Sequence, residues 1–268
     1  MFRDLRDRLN FMEGNLSILT IRQVIGMFIR RMVLTYSSLF ILAVDGDSSQ
    51  IGIVNSLMPL AGLLMFPVSG YLADRTSRVK LIALADFLSA LTMLCYIFAR
   101  SWEWIAVGAF LQGFMVFSFP PTSAILADSL DPSNRSVGIA IMTTMANAVS
   151  IFSPYIAAII TEIYGVDLGM RMLYGLLGLQ FLLSSILVYL RLKETTKPDI
   201  YEPMPSLVNI LRQSYSGIPE LWGSMNRNVK ALSFVVLMGF IANGVSSPFW
   251  VVYVTEAVSY THLRAHET

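Results

Sequence analysis

Seven apolar runs, each twenty residues or longer, fill most of this 268-residue chain and restrict it to one kind of architecture. A helix rises 1.5 Å per residue, so about 20 apolar residues are needed to cross a hydrocarbon core roughly 30 Å thick. The runs lie at Ile25–Val44, Ile51–Tyr71, Val79–Ala99, Trp104–Leu126, Val137–Ile160, Met170–Leu190 and Val229–Val254. Alternating apolar and polar segments of about ten residues, the mark of a membrane barrel, do not occur. In lipid a helix satisfies its own backbone N–H and C=O groups, so each run is predicted to be a spanning helix. Composition agrees, with 55% hydrophobic and 14% charged residues where a soluble domain has about 25% charged. The mean hydropathy is +0.62. The expected class is an all-α membrane protein whose first partner is the lipid bilayer.

The placement of Lys and Arg orients the chain, because basic residues collect in cytoplasmic loops. One side holds Arg3, Arg6, Arg8 and Arg22, then Arg75, Arg78 and Lys80, then Arg135, then Arg191, Lys193, Lys197, Arg212, Arg227 and Lys230. The other holds Arg100 and Arg171 before the final segment. A cytoplasmic amino terminus at the inner membrane is expected, with the end of the seventh run outside. A seven-helix receptor or sensor, the alternative that the number of runs suggests, needs the opposite orientation. Met1–Arg8 is followed by Asn10, Glu13 and Asn15, not by the apolar core of a cleavable signal. The lone Cys95 offers no disulfide. The net charge of +1 says little about partners, and nucleic acid is not expected among them.

Between the second and third runs lies a dense polar cluster, Gly70-Tyr71-Leu72-Ala73-Asp74-Arg75-Thr76-Ser77-Arg78-Val79-Lys80. Its pattern, G-x-L-A-D-R-x-x-R-x-K, resembles the loop signature of the major facilitator superfamily, with Ser77 where that signature has a second glycine. The resemblance implies a six-helix amino-terminal bundle and part of a second bundle, moving a small-molecule solute, the expected partner, by alternating access. Residues 1–190 would be the six-helix domain, 191–228 a central cytoplasmic loop, and 229–254 the seventh helix. In the loop Leu207, Ile210, Leu211 and Tyr215 share one face at helical spacing, which predicts an amphipathic interfacial helix. Residues 255–268 are expected to be non-native, since Ser259–Thr268 resembles a tail found on unrelated incomplete reading frames.

The same resemblance gives Gly70, Asp74, Arg75, Arg78 and Lys80 the role of a cytoplasmic gate, a charge cluster that holds helix ends together in one state and releases them in another. Ionisable residues inside a span are functional candidates by default. Arg30, Arg31 and Asp86 are those residues, and the sequence predicts an ion pair of Asp86 with Arg30 or Arg31. Arg31, Thr35 and Ser38 fall on one face of the first helix, which lines the central cavity in the family. Gln112 and Asn147 are added to this candidate substrate cavity. Gln112-Gly113 matches the end of an R-x-x-Q-G signature of proton-coupled members, but Ala109 stands at the arginine position, which weakens the case for a coupling proton. Ser153-Pro154-Tyr155-Ile156-Ala157-Ala158 resembles a weakened antiporter signature, and Asp128 with Arg135, flanking Asp131-Pro132, reads equally as a second cytoplasmic charge pair or as a simple solvated turn.

Catalytic residues, cofactors and metal ligands are not expected. His262 and His266 lack a third ligand. A glycine-rich phosphate loop is also missing, so transport would be driven by gradients. Efflux of a lipophilic or amphiphilic small molecule is the favoured direction; uptake of a small metabolite or sugar is the alternative.

Overall fold

The computed structural model describes residues 13–195 and 207–255. Seven helices in it are long and apolar enough to cross a membrane: α1 Asn15–Ala43, α2 Ser48–Arg75, α3 Arg78–Ile97, α4 Trp102–Asp128, α5 Arg135–Tyr164, α6 Val166–Arg191 and, after two short helices, α9 Arg227–Thr255. The short pair is α7 Leu207–Ser216 and α8 Ile218–Ser224. No strand occurs among the described residues. The expected non-native segment, apart from Thr255, lies outside them.

The largest difference from the sequence expectation is the start of α1, ten residues before Ile25. Leu16 and Leu19 are buried there, so tertiary packing extends the helix through a stretch too polar to count as an apolar run. Arg22 therefore lies inside a helix, not in a loop. Turn chemistry sets the other boundaries. Asp47 closes a reciprocal capping box with Gln50 at the start of α2, and Ser77 caps α3 at the backbone N–H of Lys80.

The first six spanning helices pack together, with α3 along α6, α1 beside both α6 and α5, and α2 along α4. The inner faces of α1, α3 and α6 meet through Phe40, Tyr96 and Tyr174, with the two tyrosine rings stacked at 4.3 Å. A second buried cluster, including Leu16, Ile82, Ile125 and Val188, closes the rim that carries the amino terminus. Outward positions are large and apolar, as at Leu63, Ile151 and Phe240. Water would penalise such a surface; lipid tails do not.

Four spans contain internal prolines; α4, α5 and α9 break or tighten at theirs, and hydroxyl groups compensate two of those breaks. Pro121 has no N–H, so the Phe117 carbonyl loses its helical donor; the fully buried Ser69 of α2 supplies one at 2.7 Å. The turn before it, Met115–Ser118, narrows to 3-10 geometry. In α5 the helix breaks at Ile151–Phe152 ahead of Pro154, and the Ser153 hydroxyl donates to the Ser150 carbonyl that Pro154 leaves without a partner. In α9 a 3-10 turn at Ser247–Phe249 surrounds Pro248. Close approach is handled by glycine: a Cβ on Gly113 would collide with the Met58 carbonyl where α4 crosses α2.

Candidate functional site

The face of α1 turned toward α5 is the best-formed candidate for solute contact. Arg31 Nη2 donates to Asn147 Oδ1 at 3.1 Å, joining the two helices at an exposed position. Asn147 holds its own orientation by donating to the Thr143 carbonyl at 2.9 Å, so its Oδ1 is left to face the guanidinium. One turn beyond, Tyr36 donates to the Pro154 carbonyl at 3.3 Å, at the break in α5. Thr35 is half-buried and donates to the Arg31 carbonyl of its own helix at 2.8 Å. Ser38 is buried and donates to the Pro248 carbonyl at 2.6 Å, which ties α1 to the break in α9. Among the described residues no carboxylate lies within ion-pair distance of Arg31.

Gln112 does not join that face, contrary to the expectation. Its Oε1 accepts from Thr92 and its Nε2 donates to Ser89 Oγ at 3.3 Å, so the amide is turned to α3 and glues two helices together. Both ends of the amide are committed there. With Gly113 admitting α2 on the opposite side, this dipeptide serves packing.

The intramembrane ion pair has a different cation from the one expected. Asp86, with 3% of its side chain exposed, takes Arg22 Nη2 at 2.6 Å and Arg22 Nε at 2.9 Å. Ser184 of α6 donates to the same carboxylate, so three helices converge on it. Arg30 and Arg31 do not reach it because α1 begins earlier than the apolar run: Arg30 lies eight residues past Arg22, about 12 Å further along the axis. Arg30 instead holds its guanidinium 5.8 Å from the Phe181 ring centroid.

The polar cluster between α2 and α3 splits into two faces. Arg78 turns inward, bonding Asp128 Oδ2 at 2.6 Å and Thr195 Oγ1 at 3.1 Å. Glu194 accepts from the Ser77 hydroxyl at 2.6 Å and the Val79 backbone N–H at 3.2 Å, an anion at a helix amino end. Asn15 joins the rim by donating to Ser129 and exchanging bonds with the backbone of Lys193. The charge pair of Asp128 and Arg135 is not formed: Asp128 goes to Arg78, and Arg135 bonds the Ala127 carbonyl at 2.8 Å. Gly70, Asp74 and Lys80 sit on the outer side, where Gly70 meets open space and Asp74 and Lys80 are exposed. Arg75 lies 4.0 Å over the Tyr71 ring, and Tyr71 donates to Gln213 of α7 at 2.6 Å.

One structural cation escaped sequence reading. Arg171, at the opposite rim, donates to the carbonyls of Ile97 and Ala99 at 2.7 and 2.6 Å and closes the carboxyl end of α3. Its position four residues after Asp167, with which it pairs at 2.8 Å, was the available signal of an ordered side chain.

Comparison with known proteins agrees with this geometry. Multidrug resistance efflux pumps named PmrA are similar in sequence: the Streptococcus pneumoniae protein is 23% identical over 62% of this chain and 42% of its own length. The Lactococcus lactis homologue is 24% identical over 63% of this chain and 43% of its own. The chain thus spans less than half the length of the curated relatives it matches. Among solved structures, a bacterial homologue of the human lysosomal transporter Spinster superposes with a TM-score of 0.58 at 17% identity, covering 70% of this chain and 45% of that one. The human organic anion transporter MFSD10 gives 0.55 at 14% identity, covering 74% and 52%. The peptide transporter POT gives 0.54 at 15%, covering 91% and 49%. The family model described as Major Facilitator Superfamily matches residues 19–264. With seven apolar helices and the polar cluster in its expected place between α2 and α3, the chain belongs to the Major Facilitator Superfamily of membrane transporters.

Proposed function

We propose that the complete protein exports small lipophilic solutes by gradient-driven alternating access, and that Arg31 and Asn147 are this half's contacts with the solute. The Arg31–Asn147 bond carries the proposal: it places on an exposed face, about 18 Å from the outer end of α1, a cation with no carboxylate among the described residues within ion-pair distance, and a charge held at that depth in a membrane is costly unless it serves a ligand. A solute with an apolar body and an acceptor oxygen would replace Asn147 on the guanidinium. The export direction rests on the likeness to pumps whose names state efflux.

The outer side of the polar cluster fits a gate. Gly70 meets open space and Asp74 stands exposed beside it, a seat for a helix end of the other half of the transporter. Arg78, already held by Asp128, would keep α3 and α4 moving as one body. In this reading the rim bearing the amino terminus is cytoplasmic.

The direct test uses the complete coding sequence in a host stripped of its own pumps, loaded with a neutral lipophilic dye that carries an acceptor carbonyl, such as Nile red, and, separately, with an anionic one. Faster exit than from empty-vector cells, abolished by collapsing ion gradients, is the expected result. Faster entry, or no change with either dye, overturns the export reading.

A further inference from the structure

We propose that the cleft between α1 and α6, open to the bilayer, is a binding site for a neutral, ring-sized molecule bearing a hydroxyl group. It is separate from the solute face: Ile29 lines the cleft, and Arg31, two residues on, lies about 200° around the helix. The proposal does not rest on transport.

The cleft has a volume of about 160 Å³ and is walled mainly by Ile21, Ile25, Leu179 and Leu183. An apolar cavity of about 150 Å³ accepts benzene, so one aromatic ring fits. Two polar residues at its edge, Arg22 and Ser184, are committed to Asp86. Gln180 is not committed. It lines the cleft, its residue is 8% exposed, and its buried Oε1 has no hydrogen-bond partner. A buried amide oxygen calls for a hydrogen-bond donor, which a bound molecule can supply.

Depth and charge narrow what that partner is. Gln180 lies eleven residues before Arg191, about 16 Å from that end of α6 and near the middle of a roughly 30 Å core. Phospholipid headgroups stay at the interface, and acyl tails carry no hydrogen-bonding group. A hydroxyl suits the amide in either orientation, because it donates to Oε1 and accepts from Nε2. Arg22 and Asp86 cancel, while Arg30 over the neighbouring Phe181 ring has no carboxylate among the described residues within ion-pair distance and would repel a cation. The apolar walls disfavour an anion.

The test compares 4-bromophenol with 4-bromoanisole, the same ring without the hydroxyl donor, on the purified chain in detergent, read as the concentration-dependent rise in melting temperature. The phenol is expected to act at an apparent Kd about tenfold lower than the anisole at equal micellar concentration. Gln180→Leu should abolish that difference. If Gln180→Leu does not purify, Gln180→Met keeps a straight chain and removes the amide. Equal action of both probes on the wild type means micelle partitioning only and overturns the proposal, as does a phenol preference that survives the Gln180 variants.

Discussion

Asp86 joins α1, α3 and α6 through one carboxylate, and its burial makes the arrangement testable. Removing one partner of a buried pair costs about 3–5 kcal/mol, because the other charge is stranded. Arg22 retains 19% side-chain exposure and can recover some hydration, so Asp86→Asn is expected at the lower end of that range. Arg22→Gln combined with Asp86→Asn should restore part of the loss, a non-zero coupling measured by thermal unfolding of the purified chain. Strict additivity would place Asp86 outside the pair. The carboxylate itself was legible as a functional or structural charge, since it stands within an apolar run. Its partner was not, because the run begins at Ile25 while α1 begins at Asn15; helical periodicity through Leu16 and Leu19 was the signal that reaches further. Gln112 was misplaced for a related reason: a family motif pointed to the cavity, whereas Ser89 and Thr92, three residues apart on α3, form a polar pair that needs a partner.

At the scale of the elements, prolines and hydroxyls act as matched sets. Ser69→Ala should destabilise the bundle by about 1–3 kcal/mol, since the Phe117 carbonyl is then buried with no donor. In a Pro121→Ala background the new backbone N–H can serve that carbonyl, so the same Ser69→Ala change should cost less; an unchanged cost would show that Pro121 is not the cause. The stretch whose spacing predicts a helix forms α7, in which Ile210 is buried and Leu211 is exposed. Its seat on α2 was not readable, because it depends on Tyr71 meeting Gln213 and on Tyr215 bonding the Leu64 carbonyl. Tyr71→Phe with Tyr215→Phe is expected to speed backbone hydrogen exchange in α7 and leave exchange in α3 unchanged; uniform acceleration of both would mean that α7 supports the whole bundle.

For the molecule as a whole, seven spans and their family followed from apolar length and one polar cluster, while the use of each charge required contacts between helices remote in sequence. A reporter joined at Met1 should be found on the cytoplasmic side, and activity on the outer side would reverse the proposed orientation. Arg31 is the residue on which the proposed solute path depends. The decisive measurement is solute flux in liposomes containing the complete protein, wild type against Arg31→Ala, with a substrate dye identified in cells. A charged hydrogen bond lost from the solute, worth about 1.5–3 kcal/mol, predicts a fall in kcat/KM of about tenfold or more, with the melting temperature held. Undiminished flux from Arg31→Ala at equal protein content would contradict the assignment of the α1–α5 face as the solute path.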